Sequence, residues 1–136
     1  MSVETKYDNE KNAVIIGRSI EVFIPKKEYE AIQRVTNGRF GDFYKEDNLG
    51  KIRVGDGNII YLDLSGLELG VLDSCIGGLS SLKELRVNDN ELTSLPKSIS
   101  ELGSLRVIYV TKDQLDDRSE RLLSELIWRD VRICYI

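Results

Sequence analysis

Any chemistry in this chain falls to carboxylates, phenols and two thiols, because histidine is absent from all 136 residues. Without imidazole there is no Ser–His or Cys–His pair and no histidine metal ligand, and the commonest acid–base group near neutral pH is missing. The oxygen-rich run Asn88-Asp89-Asn90-Glu91 lacks the alternating spacing and closing bidentate Glu of a calcium loop. Gly55-Asp56-Gly57 is too short to cradle phosphate, has no Lys-Ser/Thr behind it, and reads as a turn. Asp113, Asp116 and Asp117 could share a proton as catalytic carboxylates do. They stand instead at the start of a helical pattern, where negative charge meets the positive end of the dipole. Cys75 and Cys134 are too few for a disulfide framework and have no base close in sequence. The expectation is a chain that is not an enzyme and carries neither metal nor cofactor.

What remains is recognition. Tyr and Arg are over-represented among interface hot spots, and here they recur with carboxylates at intervals of 23 residues. One column is Tyr61, Glu84, Val107, Asp130; the next is Asp63, Arg86, Tyr109, Arg132; a third is Ser65, Asn88, Thr111, Cys134. Tyr61, Asp63, Glu84, Arg86, Asn88, Val107, Tyr109, Asp130 and Arg132 form the predicted protein-binding set, centred on Tyr109 and the apolar Val107. The competing reading is a solvated face on which Asp63, Glu84 and Arg86 satisfy one another.

These columns exist only if something repeats beneath them. At the same interval Ile59, Leu82, Leu105 and Trp128 align, as do Leu62, Leu85, Ile108, Val131 and Leu64, Val87, Val110, Ile133. Each turn opens apolar-x-x-apolar-x-apolar, and alternation along a strand sends the intervening residues to the opposite face. Leu69 and Leu92, Leu72 and Leu95, Ile76 and Ile99, Leu79 and Leu102 complete the first two turns. Trp128 is accordingly assigned to the core. The third turn departs after Leu115, where Leu122, Leu123, Leu126 and Ile127 take helical spacing. Asp117 with Glu120 reads as the capping box of that helix, and Val131–Tyr135 as a last strand.

The segment from Leu82 through Asn90 and Pro96 to Leu102 resembles the leucine-rich-repeat family, 23-residue class, at every signature position. The resemblance implies an α/β fold: a short right-handed solenoid of about four parallel strands on a concave side, used mostly as a binding scaffold. It also implies that Asn90 bonds loop backbone. Leu67 and Asp113 replace that Asn in the first and third turns, so loop groups there must find other partners.

Residues 1–58 carry no echo of this period. Ala13–Ile16 and Ile20–Ile24 read as strands about Gly17-Arg18-Ser19, and Pro25 suits the first position of a helix to Val35 with Tyr29, Ala31, Ile32 and Val35 on its apolar stripe. Asn37-Gly38 ends it. Lys51–Val54 and Asn58–Leu64 flank the turn at 55–57 as a hairpin whose second strand is the first strand of the repeat. The division expected is 1–58 as an N-terminal β-α cap or small subdomain and 59–136 as the repeat. The first part has ten basic and ten acidic side chains, the second nine and thirteen, which argues against a nucleic-acid partner. No segment is long and apolar enough for a membrane span or leader, so the expected setting is cytoplasmic. The partner expected is a protein of unspecified identity, with a homodimer through an open edge as a further option. An alternative function is that of a small inhibitor or activator working through the N-terminal β-α segment.

Overall fold

The computed structural model describes residues 5–10, 13–16, 20–39 and 51–136. The chain begins with a three-stranded antiparallel sheet of β1 (Thr5–Asp8), β2 (Ala13–Ile16) and β3 (Ile20–Phe23), in that order. The strand expected over 13–16 is found there, and the one expected over 20–24 ends at Phe23; the 17–19 connector lies outside the described residues. The short polar strand β1 carries no periodicity that would announce it.

Helix α1 covers Lys26–Val35, with Pro25 at its N-cap rather than its first position (φ −63°, ψ 145°). The ring fixes φ for either place, and the extended ψ makes it the boundary residue. Asn37 (φ 54°) and Gly38 (φ 77°) end the helix in left-handed conformation, and the Gly38 N–H donates to the Gln33 carbonyl at 2.7 Å. Ala31, Ile32 and Val35 face inward, joined by Glu28, while Tyr29 is only partly buried and stacks on Tyr7 at 5.4 Å between ring centroids.

Strands β4 (Ile52–Gly55) and β5 (Asn58–Asp63) form the antiparallel hairpin, turned by Asp56 (φ 51°) and Gly57 (φ 78°). Positive φ at both central residues matches the right-handed twist of the flanking strands. The register slips between Arg53 and Val54, a bulge that leaves Ile60 without a partner. From β5 onward the sheet is parallel, through β6 (Glu84–Arg86), β7 (Val107–Val110) and β8 (Arg132–Tyr135), giving the order β4-β5-β6-β7-β8. Opposite this sheet lie α1, 3-10 turns at Ser74–Gly78 and Lys97–Glu101, and helix α2 (Asp117–Trp128), each packed on the next. Two layers thus enclose one core of leucine, isoleucine and valine, to which Ile24, Ala31, Ile32, Val35 and Ile52 also belong. Each such side chain fully removed from water is worth about 1.5–3 kcal/mol. The hairpin and this core both run across position 58.

Asn90 ties adjacent turns together. Its Oδ1 accepts from the N–H of Leu67 and of Leu69, each at 3.0 Å, and its Nδ2 donates to the carbonyls of Leu64, Val87 and Asn88 at 2.9, 3.2 and 3.3 Å. Where the first and third turns lack this Asn, other groups serve: Arg39 donates to the Leu67 carbonyl at 3.1 Å, and Gln114 to the Asn90 carbonyl at 2.8 Å. Gly77 is needed for closeness, since a Cβ there would fall 2.7 Å from Ser98 Cβ and 2.8 Å from the Ser98 carbonyl oxygen.

The last turn corrects three expectations. The cap of α2 is Asp116, not Asp117: its carboxylate accepts from the Ser119 N–H at 2.9 Å. Ser119, fully buried, takes the Leu95 N–H at 2.8 Å, which settles which of two adjacent aspartates faces the helix end. The register of β8 is displaced, pairing Val107 with Arg132, 25 residues on, where Tyr61 to Glu84 and Glu84 to Val107 are each 23. An α-helix rises ~1.5 Å per residue against ~2.0 Å for a 3-10 helix, so crossing the same layer as a helix takes more residues. Trp128 therefore does not occupy the core position assigned to it: it is 90% exposed, and Val131 turns inward instead.

Candidate functional site

The strand register builds a two-row patch on the sheet face away from the helical layer. Tyr61, Glu84, Val107 and Arg132 form one row, flanked at β4 by Arg53; Asp63, Arg86, Tyr109 and Cys134 form the other. Of the nine residues predicted from sequence, Tyr61, Asp63, Glu84, Arg86, Val107, Tyr109 and Arg132 are brought together. Arg132 stands beside Val107 rather than Tyr109, for the reason given for α2. Asp130 is not part of the patch: it sits in the turn after α2 with φ 63°. Asn88 is 6% exposed, so it offers no surface; its Nδ2 donates to Asp89 at 3.2 Å and its buried Oδ1 has no partner.

At the centre the Arg86 guanidinium lies 4.0 Å from the Tyr109 ring centroid, and Arg53 lies 4.7 Å from that of Tyr61. Such stacking draws on the ring quadrupole and fixes two long side chains in advance. Arg86 Nε is 3.6 Å from Glu84 Oε2, an ion pair too long for a hydrogen bond, and that nitrogen has no acceptor. Burial works to lower the Arg86 pKa, but Tyr61, Tyr109, Glu84 and Asp63 outweigh it and the net shift is upward. Tyr61 is raised as well, by burial first and then by the charges of Asp63 and Glu84. Asp63 does not pair with Arg86 in the way the solvated-face reading requires; its Oδ1 accepts from Ser65 N–H at 2.9 Å and Ser65 Oγ at 2.5 Å.

No protein-family model matches the chain, and no curated protein matches it.

Arg53 was invisible to sequence reasoning. An unbroken hairpin from a two-residue turn sets it against Ile60, and only the bulge brings it beside Tyr61. Gly55 makes room for that displaced isoleucine, since a Cβ there would meet Ile60 Cδ1 at 2.9 Å. Among the described residues no group of three or more His, Cys, Asp or Glu is placed to hold a metal ion, and no helix is long and apolar enough to cross a membrane.

A concavity of about 580 Å³ lies between α1 and the Ser74–Gly78 turn, bordered by Lys27, Tyr29, Gln33, Arg34 and Cys75. Arg34 donates to Cys75 Sγ at 3.3 Å, and the Cys75 N–H is capped by Asp73 at 2.8 Å. Both cysteines are free thiols, on opposite layers of the fold.

Proposed function

We propose that residues 59–136 form a short right-handed leucine-rich-repeat solenoid of the 23-residue class, capped by residues 1–58, and that the chain is a non-enzymatic module holding a partner protein on its concave sheet face. Support for the solenoid comes from the parallel register at 23 residues, the stacked 3-10 turns, and an Asn90 side chain that bonds the loop of the preceding turn. The observation that carries the functional reading is the Arg86–Tyr109 stack in the middle of the sheet. It is half-exposed, pre-ordered and next to the apolar Val107, which is how interface anchors are built. The test is affinity capture with the chain and with a folded Arg86→Glu/Tyr109→Ala variant. Partners recovered by the first should be missing from the second; unchanged recovery sinks the site assignment.

A second reading, regulation through the N-terminal segment, is favoured by the groove beside α1. Deleting that segment would remove five core residues, so the discriminating change is Lys27→Glu with Gln33→Ala, both outside the core. A partner lost from this variant and kept by the Arg86/Tyr109 variant assigns function to the groove. Light scattering tests dimer formation through the outer edge of β8, which has no pairing strand among the described residues.

A further inference from the structure

The sheet face is polarised in charge in a way that its net composition hides. At the N-terminal end of the parallel strands lie Lys83 and Arg106, both exposed, one residue before the row in which Arg53 and Arg132 flank Tyr61, Glu84 and Val107. Their backbone is one hydrogen-bonded row: Lys83 N–H donates to the Ile60 carbonyl, Arg106 N–H to that of Lys83, and Arg132 N–H to that of Arg106, each at 2.8 Å. At the C-terminal end of the same strands stand Asp63, Asp89 and Asp113. The described residues offer Lys83, Arg106 and Arg132 no ion pair, and Arg53 has only the face of Tyr61.

Neighbouring strands run ~4.8 Å apart, and like charges directly opposed across strands destabilise a sheet. Lys83 and Arg106 on adjacent strands, with Glu84 the one carboxylate in the row beside them, therefore work against the folded state. Such an arrangement becomes favourable when an anion is laid along it. Resting on the reading of this face as a partner site, we infer that its occupant is a protein segment rich in carboxylates, lying across the strands along Arg53, Lys83, Arg106 and Arg132 and reaching the Arg86–Tyr109 stack. An extended segment presents alternate side chains ~6.6 Å apart on one side, so acidic residues at every second position meet cations whose long side chains absorb the mismatch. Asp89 and Asp113, beyond the Arg86–Tyr109 row, repel a polyanion broad enough to cover both ends of the strands. That favours a narrow acidic peptide over nucleic acid.

The probe is a fluorescein-labelled octapeptide alternating Glu and Ser, titrated against the full chain by polarisation at low and high salt. Its Lys-Ser counterpart and an eight-nucleotide single strand serve as competitors. The acidic peptide should bind and weaken at least tenfold in high salt, and neither competitor should displace it. Lys83→Ala and Arg106→Ala should each weaken binding severalfold while leaving the urea midpoint equal or higher, because each relieves repulsion. A line of purely structural cations would instead lose stability. Tighter binding of the oligonucleotide, or binding indifferent to Lys83 and Arg106 substitution, overturns the inference. If captured partners are lost by the Arg86/Tyr109 variant but kept by Lys83→Glu/Arg106→Glu, the face stands and the acidic segment falls. Partners kept by both variants remove the face itself.

Discussion

Replacing Asn90 with alanine removes a buried side chain that bonds the backbone of two turns at once. The amide is 9% exposed and makes five contacts, two as acceptor and three as donor. Alanine leaves the N–H groups of Leu67 and Leu69 buried without a partner, at about 1–3 kcal/mol apiece. The three carbonyls each keep a lone pair that other donors or water can reach, so they add less. The sum expected is about 3–5 kcal/mol, a large part of the ~5–15 kcal/mol by which a domain is stable. Urea denaturation followed by circular dichroism reads it directly, as a lower midpoint with unchanged slope. Asn90→Asp is the companion: it keeps the acceptor for both N–H groups but turns a charged oxygen toward three carbonyls. It should lose a similar amount at neutral pH and recover part of it when the carboxyl is protonated. A loss below about 1 kcal/mol in the alanine variant would show that the loops hold themselves, and the inter-turn role given to Asn90 would be wrong.

Three further changes test separate contacts. Glu28 is 5% exposed and its Oε1 takes the Ile59 N–H at 2.7 Å. Glu28→Ala orphans that donor and should cost about 1–3 kcal/mol, whereas Glu28→Gln keeps an oxygen for it and should stay within about 1 kcal/mol. Burial raises the Glu28 pKa above 4.5, with the Ile59 bond opposing. The folded state thus holds this proton more tightly than the unfolded one, so its contribution is full below 4.5 and lost as pH rises through the raised value. Wild type should gain on Glu28→Gln as pH is lowered from neutrality toward 4.5, and a parallel pH dependence would contradict the burial of this carboxyl. Asn88→Val replaces an amide whose buried oxygen has no donor, and thermal melting should find it neutral or stabilised by up to about 1 kcal/mol; a marked loss would mean that oxygen is satisfied. Gly77→Ala drives a methyl into Ser98 and should cost about 1–3 kcal/mol, and a neutral result would mean the two 3-10 turns are not held at this spacing.

The parallel strands were legible because burial on one face of a strand imposes a period of two, and stacking imposes 23 on top of it. Leu62, Leu85 and Ile108 fall on adjacent strands in the register their numbers imply. The hairpin at Asp56-Gly57 was legible because few residues besides Gly, Asn and Asp accept positive φ. The last turn was misread because its apolar residues fit two periods at once. Continuing the 23-residue count put Trp128 inside and Asp130 on the patch, while the helical period of α2 had already shifted the strand by two. Asn88 was misplaced because alternation gives direction but not depth, and at the end of β6 the loop closes over it. Glu28 and Arg53 owe their positions to contacts 31 residues away and to a bulge, neither of which leaves a local pattern. The groove beside α1 is a meeting of two elements distant in sequence, and so is equally silent.

On the proposed function, a partner protein is held on the sheet face around Arg86 and Tyr109. Calorimetric titration of a captured partner against Tyr109→Ala, with Arg121→Ala on exposed α2 as control, tests it most directly. The expected result is a loss of at least about 2 kcal/mol, roughly thirtyfold, for Tyr109→Ala and no more than about twofold for Arg121→Ala. Equal affinity for both variants, or a greater loss from Arg121→Ala, would place the partner elsewhere on the protein.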